Sequence, residues 1–194
     1  MLGLLIVGLG GGYLIFSVTQ NDKAETSTTG QGNQYGQSRG VNKGNCNSDD
    51  CLVIDNMDYP VGTLSEEAKV ALEKAIDDEY KAYSTYEATI DKFGMIKPFS
   101  IIIRAEENHI SSLKTLFDKY GLEIPENNWQ DKVTTGETKQ EACQIGVDAE
   151  IANAKLYEDE LFPAVTDYED ITDVFTNLMN TSKQKHLPAF GKCN

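Results

Sequence analysis

The sequence predicts an all-α protein in which a four-helix bundle follows an apolar N-terminal helix and a polar tether. From about Leu64 onward, apolar side chains recur at steps of three and four residues, which is typical of bundle helices. No strand-like alternation competes with this pattern. Residues 1–19 carry no charged side chain, and residues 20–61 are mostly polar. The expected regions are therefore an apolar helix (1–19), a tether (20–61) and a bundle (62–194).

Composition excludes several classes of protein. With 40% hydrophobic and 25% charged residues, the chain matches globular proteins, so neither full disorder nor a polytopic membrane protein fits. Its 31 acidic and 17 basic residues give a formal charge of −14. Because such a surface repels phosphate backbones, we expect no nucleic-acid partner.

Residues 1–19, MLGLLIVGLGGGYLIFSVT, predict an uncleaved membrane anchor. About 19 residues at a rise of 1.5 Å just span a hydrocarbon core of roughly 30 Å. A cleaved signal peptide is the rival interpretation, but no basic residue precedes Lys23 and no A-x-A-like site is present. A third interpretation is packing inside a filament or multisubunit assembly. Gly8 and Gly12 have the spacing that lets helices approach closely, including those of a homo-oligomer.

The tether is rich in Gly, Ser, Thr, Asn and Gln, and it has too few apolar residues to offset its chain entropy. Cys46 and Cys51 lie within it. A zinc site would need paired C-x-x-C units, which are missing, whereas a small disulfide ring is stable outside the cytoplasm.

Helix start and stop signals give four helices. Gly94 and Gly121 follow the first two as C-terminal stops. About 17 residues connect the second helix to the third and could extend over roughly 50 Å, enough to cross a bundle. This favours a long crossover, although a simple up-down bundle stays open. The expected helices are 64–93, 98–120, 141–163 and 170–190.

Three apolar helix faces are each interrupted near the middle by one glutamate, at Glu79, Glu106 and Glu150. A buried carboxylate without a partner costs several kcal/mol, so three at one level need a common partner, and a metal cation supplies it. The chain has only two histidines. His109 stands one turn after Glu106 on the same face, and His186 lies on the fourth helix in line with Leu178 and Ser182.

The chain resembles the ferritin-like, rubrerythrin-related superfamily, and within it a prokaryotic ferritin-like domain family of unknown function. The segments that carry the resemblance are LSEEAKVALEKAIDDEYKAY, PFSIIIRAEENHISSLKTLFDKYGL, GVDAEIANAKLYEDEL and KHLPAF. The resemblance implies a dinuclear iron or manganese site inside the bundle, and the ligand chemistry also admits zinc. It implies that Glu79 and His109 are terminal ligands, that Glu106 bridges, and that Glu150 and His186 complete the set.

One position departs from a full di-iron pattern. The residue three before His186 is Lys183, where a second bridging glutamate would stand, and we expect this lysine to weaken one of two metal positions. Asn153 is expected to add a neutral oxygen, and Pro188 is expected to break the fourth helix. Glu107 and Asp148 are expected to point away, whereas the tyrosines near the glutamates could relay electrons: Tyr83, Tyr86 and Tyr157.

Two functions stay open. In the first, the site handles oxygen, peroxide or ferrous ion as an oxidoreductase of ferroxidase or peroxidase type. In the second, the chain is a non-catalytic subunit of a surface filament or membrane assembly, in which the metal site is structural or vestigial. No nucleotide-binding loop, Ser-His-Asp set or C-x-x-C pair offers a competing chemistry.

Cysteine positions predict the compartment. Cys143 lies seven residues before Glu150, and Cys193 lies seven after His186. On antiparallel neighbouring helices both displacements, about 10.5 Å, point toward the same end of the bundle. We therefore expect a Cys143–Cys193 disulfide, with Cys46–Cys51 as a second by proximity, and a domain displayed at the cell membrane or cell surface on the extracytoplasmic side.

Overall fold

The computed structural model describes Tyr59 and residues 62–193, and this part of the chain is helical with no strand. The first helix is Glu66–Phe93 and the second is Phe99–Tyr120. The third consists of Lys139–Leu156, a π-helical segment Tyr157–Leu161 and a last turn Phe162–Ala164. The fourth consists of Glu169–Thr181, a π-helical segment Ser182–His186 and a last turn Leu187–Phe190. These bounds lie within two residues of those expected from sequence.

The helix ends follow their local chemistry. Ser65 Oγ accepts a hydrogen bond of 3.1 Å from the N–H of Ala68, which satisfies one free donor of the first turn. Thr138 caps the third helix in the same way through the N–H of Glu141. Gly94 and Gly121 end the first two helices at φ values of 82° and 63°, which glycine adopts without strain. The predicted glycine stops are confirmed.

The third and fourth helices each contain one widened turn. The N–H of Phe162 donates to the carbonyl of Tyr157, and the N–H of Leu187 donates to the carbonyl of Ser182. Both bonds reach back five residues instead of the four of an α-helix. Regular helical periodicity therefore changes phase just where the fourth helix presents His186.

A proline follows each widened turn, at Pro163 and Pro188. In a regular α-helix a proline ring clashes with the carbonyl four residues earlier, and a widened turn before the proline relieves that contact. The fourth helix consequently continues to Phe190. The expectation that Pro188 breaks this helix is wrong.

Contacts at one end of the domain bring together the end of the second helix and the start of the fourth. Lys119 Nζ lies 2.6 Å from Asp170 Oδ2, and both side chains are buried. The N–H of Ser65, just before the first helix, donates to the Tyr168 hydroxyl at 2.8 Å. This end therefore contains the starts of the first and fourth helices and the end of the second.

The opposite end is built on aromatic side chains and a disulfide. Tyr86, Phe99 and Phe190 form a mutual cluster with ring centroids 5.0 to 5.7 Å apart. A disulfide joins Cys143 to Cys193 with 5.7 Å between the Cα atoms, as expected from the helix geometry. The second and third helices both begin at this end and therefore run in the same direction.

The connection from residue 121 to residue 138 follows the first helix. The Trp129 Nε1–H donates to Asp77 at 2.8 Å, in the first half of that helix. Lys92, near its end, donates to the carbonyl of Gly136 at 2.6 Å. The connection thus passes along the domain and returns the chain to the end where the second helix began, as the long crossover requires.

Two apolar clusters fill the interior, and a layer of buried polar side chains lies between them along the helices: Glu79, Glu106, His109, Glu150 and His186. The larger cluster includes Leu72, Ile76 and Phe175, and the smaller includes Tyr86 and Phe190. Gly146 lets the third and fourth helices approach closely, because a Cβ there would lie 2.5 Å from the Phe190 ring.

Several predictions from the sequence fall on residues outside the described part of the chain. They concern the apolar helix 1–19, most of the tether 20–61 and the Cys46–Cys51 bond. Within residues 62–193, no helix is long and apolar enough to cross a membrane.

Candidate metal centre

The structure brings together all five side chains predicted to bind metal, and each is at most 2% exposed. They form two groups of potential ligands whose donor atoms lie within 4.8 Å of one another. The first group is Glu79, Glu106 and His109, and the second is Glu106, Glu150 and His186. Glu106 belongs to both groups.

In the first group, one imidazole nitrogen faces two carboxylates. His109 Nδ1 lies 3.0 Å from Glu79 Oε2 and 3.1 Å from Glu106 Oε2. Glu106 and His109 come from successive turns of the second helix, so regular α-helical geometry aims both at the same point. Glu79 faces them from the first helix.

The second group is more open. His186 Nδ1 lies 3.3 Å from Glu106 Oε1 and 3.5 Å from Glu150 Oε1. Its three members come from the second, third and fourth helices. The two imidazole rings stack with centroids 5.5 Å apart, so the groups are neighbours in one layer.

Glu79 and Glu150, which each belong to one group only, accept a hydrogen bond from a buried tyrosine of another helix. Tyr86 donates to Glu150 Oε1 at 2.6 Å, and Tyr157 donates to Glu79 Oε1 at 3.2 Å. Each tyrosine stands seven residues after the glutamate of its own helix, so the first and third helices make reciprocal contacts. These bonds orient the two carboxylates and keep the tyrosines close to the centre.

Charges in this layer shift the pKa values strongly. Burial raises the pKa of Glu79 to about 8. Burial alone would lower the pKa of each imidazole. The facing carboxylates outweigh this effect and raise the pKa of His109 to about 9 and that of His186 to about 10. Burial likewise opposes ionisation of Glu106, yet the two imidazoles hold its pKa well below the usual range. Near neutral pH and without a metal, these pKa values favour protons on both histidines and on Glu79.

The donor set fits a metal cation. Both Nδ1 atoms face carboxylate oxygens, and three carboxylates with two imidazoles suit iron, manganese or zinc. His109 Nε2 and both ring nitrogens of His186 are buried without a hydrogen-bond partner. Unpaired buried polar atoms are costly, so a layer that leaves them is one that a bound cation would stabilise.

A cavity of about 340 Å³ opens onto this layer. Glu79, Glu106 and Glu150 line its inner part, and the crossover lines its outer part with residues such as Trp129 and Lys132. The cavity therefore gives small molecules and ions a route to the centre beneath the crossover.

Lys183 does not face the centre. Its ammonium pairs with Glu158 Oε1 at 2.5 Å, and both side chains are almost half exposed. Ser182 instead is buried and lines the cavity. The widened turn Ser182–His186 explains this, because it rotates Lys183 away from the direction of His186. The expectation that Lys183 weakens a metal position is therefore wrong.

Of the remaining sequence predictions, the structure confirms some and not others. Glu107 and Asp148 are exposed, as expected, and Asp148 accepts a bond from Gln144. Tyr83 bonds to Glu87 at 3.2 Å and does not reach the layer, unlike Tyr86 and Tyr157.

Asn153 meets the layer through its nitrogen. Its Nδ2 lies 2.8 Å from Asp78 Oδ2 and 3.4 Å from Glu79 Oε1, whereas its Oδ1 is buried without a partner.

Sequence reasoning missed Asp78, because this residue lies beside the apolar face of the first helix and not on it. Burial raises the pKa of Asp78 to about 6. Sequence reasoning placed Ser182 on the face of His186 but assigned it no contact with the centre. Pro188 was the sequence signal that could have revealed the direction of Ser182, because a proline inside a helix indicates a widened turn before it.

Comparisons with known proteins assign most of the described chain to one family. Residues 71–193 match the family described as "Uncharacterized protein domain (DUF2202)". The uncharacterized protein MJ0754 of Methanocaldococcus jannaschii is 28% identical over 145 residues, which cover 68% of this chain and 77% of that protein. No solved structure matches the chain significantly.

Proposed function

The chain belongs to the DUF2202 family of uncharacterized domains, and from its buried donor set we propose that it is a ferritin-like protein with a dinuclear metal centre. We propose that the centre carries out redox chemistry on oxygen, peroxide or ferrous ion, and that its metal is iron. Manganese and zinc are the other metals that the donor set admits.

The observation that carries this proposal is the position of Glu106 in two groups of ligands. Its Oε2 faces His109, and its Oε1 faces His186. A carboxylate that offers one oxygen to each side is suited to bridge two cations. Glu79 and Glu150 then serve as the outer carboxylates of the two positions.

The course of the chain supports a ferritin-like assignment. The second and third helices run in the same direction, and the crossover between them passes along the first helix. Carboxylate-bridged bundles take a Glu-x-x-His pair and further glutamates from facing helices, and the second helix supplies that pair as Glu106 and His109.

The side chains around the centre have definite chemical capacities. A bound pair of iron ions would supply electron transfer to oxygen or peroxide. Tyr86 and Tyr157 hold hydroxyl protons at Glu150 and Glu79, and their pKa values are raised well above the usual range, first of all by burial. Both therefore stay protonated near neutral pH, and their hydroxyl groups orient the carboxylates as hydrogen-bond donors. The crossover contributes part of the lining of this cavity.

Elemental analysis of the purified protein tests the metal centre, followed by absorption and EPR spectra of any iron. We expect about two metal ions per chain, by analogy with carboxylate-bridged bundles, and oxidation of ferrous ion by air or peroxide faster than in buffer. A protein that takes up no transition metal would contradict the proposal.

A structural role is the second candidate function. It is favoured by the fourth helix, which places Ser182 and not a carboxylate on the face that carries His186. In this case the metal would join four helices without turnover. Full metal content together with ferrous and peroxide reaction rates equal to those of free metal would favour this candidate.

We also propose that the domain faces the extracytoplasmic side and that residues 1–19 hold it to the membrane or to a surface assembly, including a homo-oligomer. The Cys143–Cys193 disulfide supports this, because such bonds persist in oxidising compartments. Alkylation before and after reduction, read by intact mass on protein from its native source, tests it. Four free thiols would contradict the placement.

A further inference from the structure

We propose that Asp78, Glu79 and Asn153 form an outer cation position, from which a divalent metal ion moves to the two inner positions. The inference rests on the proposed function, because it names the route by which ions reach that centre. The outer position includes Asp78 and Asn153, which do not belong to either inner group.

The three side chains meet across two helices. Asn153, on the third helix, is only 6% exposed. Its amide nitrogen lies 2.8 Å from Asp78 Oδ2 and 3.4 Å from Glu79 Oε1, both on the first helix. One amide group thus links two carboxylates at the edge of the buried layer.

The orientation of this amide leaves its oxygen unused. Asn153 Oδ1 is buried and has no hydrogen-bond partner. If the amide turned over, Oδ1 would face the carboxylates of Asp78 and Glu79. This orientation is repulsive when the carboxylates are alone, but it is favourable around a cation, for which carboxylate and carboxamide oxygens are suitable ligands. In this proposal the present orientation belongs to the cation-free site, and the reverse orientation would belong to the cation-bound site.

The site lies on the access route. Asp78, Glu79 and Asn153 line the cavity that connects the crossover with Glu106 and Glu150. Asp78 is half-buried, whereas Glu79 and Glu106 are buried, so an ion from solvent meets Asp78 before those two glutamates. Glu79 belongs to the outer position and to the first inner group. An ion can therefore stay bound to Glu79 while it exchanges Asp78 and Asn153 for Glu106 and His109.

Two lysines also line the cavity, and the charge of Lys81 acts on Asp78. Lys81 Nζ lies 5.3 Å from the centre of the Trp129 ring, which holds it against the crossover. Lys132 lies on the exposed surface of the crossover. The carboxylates of Asp78 and Glu79 lie next to the amide nitrogen of Asn153.

The rate of metal loading tests the outer position. Metal-free full-length protein is mixed with Co²⁺ in a stopped-flow instrument, and the d–d absorption of bound cobalt is followed. Asp78→Asn keeps the shape of the side chain and removes its charge. We expect this variant to load about tenfold more slowly, because local charge raises the rate of ion capture by that order. The final number of cobalt ions at the two inner positions stays as in the unchanged protein.

Asp148→Asn is the matched control. Asp148 lines the same cavity and loses the same charge in this variant, but it is exposed and accepts its bond from Gln144. We expect its loading rate to match that of the unchanged protein. Asn153→Asp, which presents oxygen in either orientation, is expected to load faster than the unchanged protein.

The outcomes separate the two proposals. If Asp78→Asn loads as fast as the unchanged protein, or if Asp148→Asn slows loading equally, the outer position is wrong and the inner centre stands. If the unchanged protein takes up no cobalt, the proposed centre itself is wrong, and the outer position with it.

Discussion

The two groups of ligands that share Glu106 differ in how firmly the protein holds them. In the first group, His109 Nδ1 lies 3.0 and 3.1 Å from its two carboxylates. In the second group, His186 Nδ1 lies 3.3 and 3.5 Å from its carboxylates and makes no hydrogen bond. The first group takes two ligands from neighbouring turns of the second helix and one from the first helix, whereas the second group depends on three helices and a widened turn.

This difference implies that the two proposed positions bind metal with different affinities. A site whose ligands are already in place binds a cation with little reorganisation, so we expect the tighter ion beside His109. At the second position His186 lies farther from its carboxylates, and the buried Ser182 of the same helix lines the cavity. We therefore expect weaker binding and easier exchange beside His186.

The largest effect should come from the shared carboxylate. Glu106→Ala removes a ligand from both groups at once, and we expect it to abolish binding at both positions. Glu107→Ala is the control, because its side chain is exposed on the same helix. Metal content per chain by elemental analysis measures both. Retention of one full equivalent by Glu106→Ala would show that the groups are independent.

Removal of single imidazoles should separate the two positions. We expect His109→Ala to lose the tighter ion, with a loss of affinity of about 100-fold or more by comparison with the 10- to 100-fold cost of outer-shell changes. We expect His186→Ala to lose only the weaker ion. Isothermal titration of metal-free protein with Mn²⁺ reads both affinities. Equal losses in the two variants would remove the distinction between the groups.

The pH dependence of stability should reverse on metal binding. The pKa values of His109 and His186 are raised to about 9 and about 10, so without metal the stability they contribute is present below the unfolded value of about 6.5 and is lost as pH rises through the folded values. The raised pKa of Glu79, about 8, acts in the same direction. Glu106, whose pKa is lowered, changes stability only at acidic pH.

We therefore expect the metal-free protein to become less stable from about pH 6.5 to about pH 9.5. The metal-loaded protein should not, because a metal needs deprotonated ligands and binds more tightly as pH rises. Urea unfolding with and without chelator at both pH values measures this. A metal-free midpoint that rises with pH would contradict the charge assignment.

The two tyrosines offer a smaller test. Tyr86→Phe removes a 2.6 Å bond to Glu150, and Tyr157→Phe removes a 3.2 Å bond to Glu79. A hydrogen bond to a charged group contributes about 1.5–3 kcal/mol. We expect Tyr86→Phe to lower the free energy of unfolding by an amount in this range and Tyr157→Phe by less. Chemical denaturation of the metal-loaded protein compares them, and the reverse order would show that bond length does not rank the two contacts.

The smallest effect should come from Lys183. Lys183→Glu breaks an exposed pair with Glu158, and exposed pairs contribute about 0–1 kcal/mol. We expect metal content to stay unchanged. Ser182→Glu is the variant to compare with it, because this change adds a carboxylate beside the second group. We expect Ser182→Glu to strengthen binding of the weaker ion. An increase in metal content in Lys183→Glu would instead place that lysine at the centre.

The fold and most of the candidate site could be predicted because they depend on regular α-helix. Glutamates inside apolar faces, the Glu-x-x-His spacing and the glycine stops are all local patterns with a fixed geometric meaning. Even the Cys143–Cys193 bond follows from counting turns along two helices.

What could not be predicted depends on departures from that regularity. The direction of Lys183 changes because one turn is widened, and residue spacing alone assumes that every turn is the same. Asp78 joins the layer only because Asn153 of another helix reaches it. Contacts that a distant helix creates leave no trace in local periodicity.

The widened turn before Pro188 has a consequence in genetic terms. The widened turn contains one residue more than an ordinary turn, and that residue corresponds to one codon between Leu178 and His186. Loss of that codon would restore an ordinary turn and leave every proposed ligand in the sequence. One residue is about 100° of helical rotation, so either His186 would turn out of the layer or Leu178 would turn out of the core. A reading frame shortened by three nucleotides here would therefore encode all five ligands and still fail to assemble them.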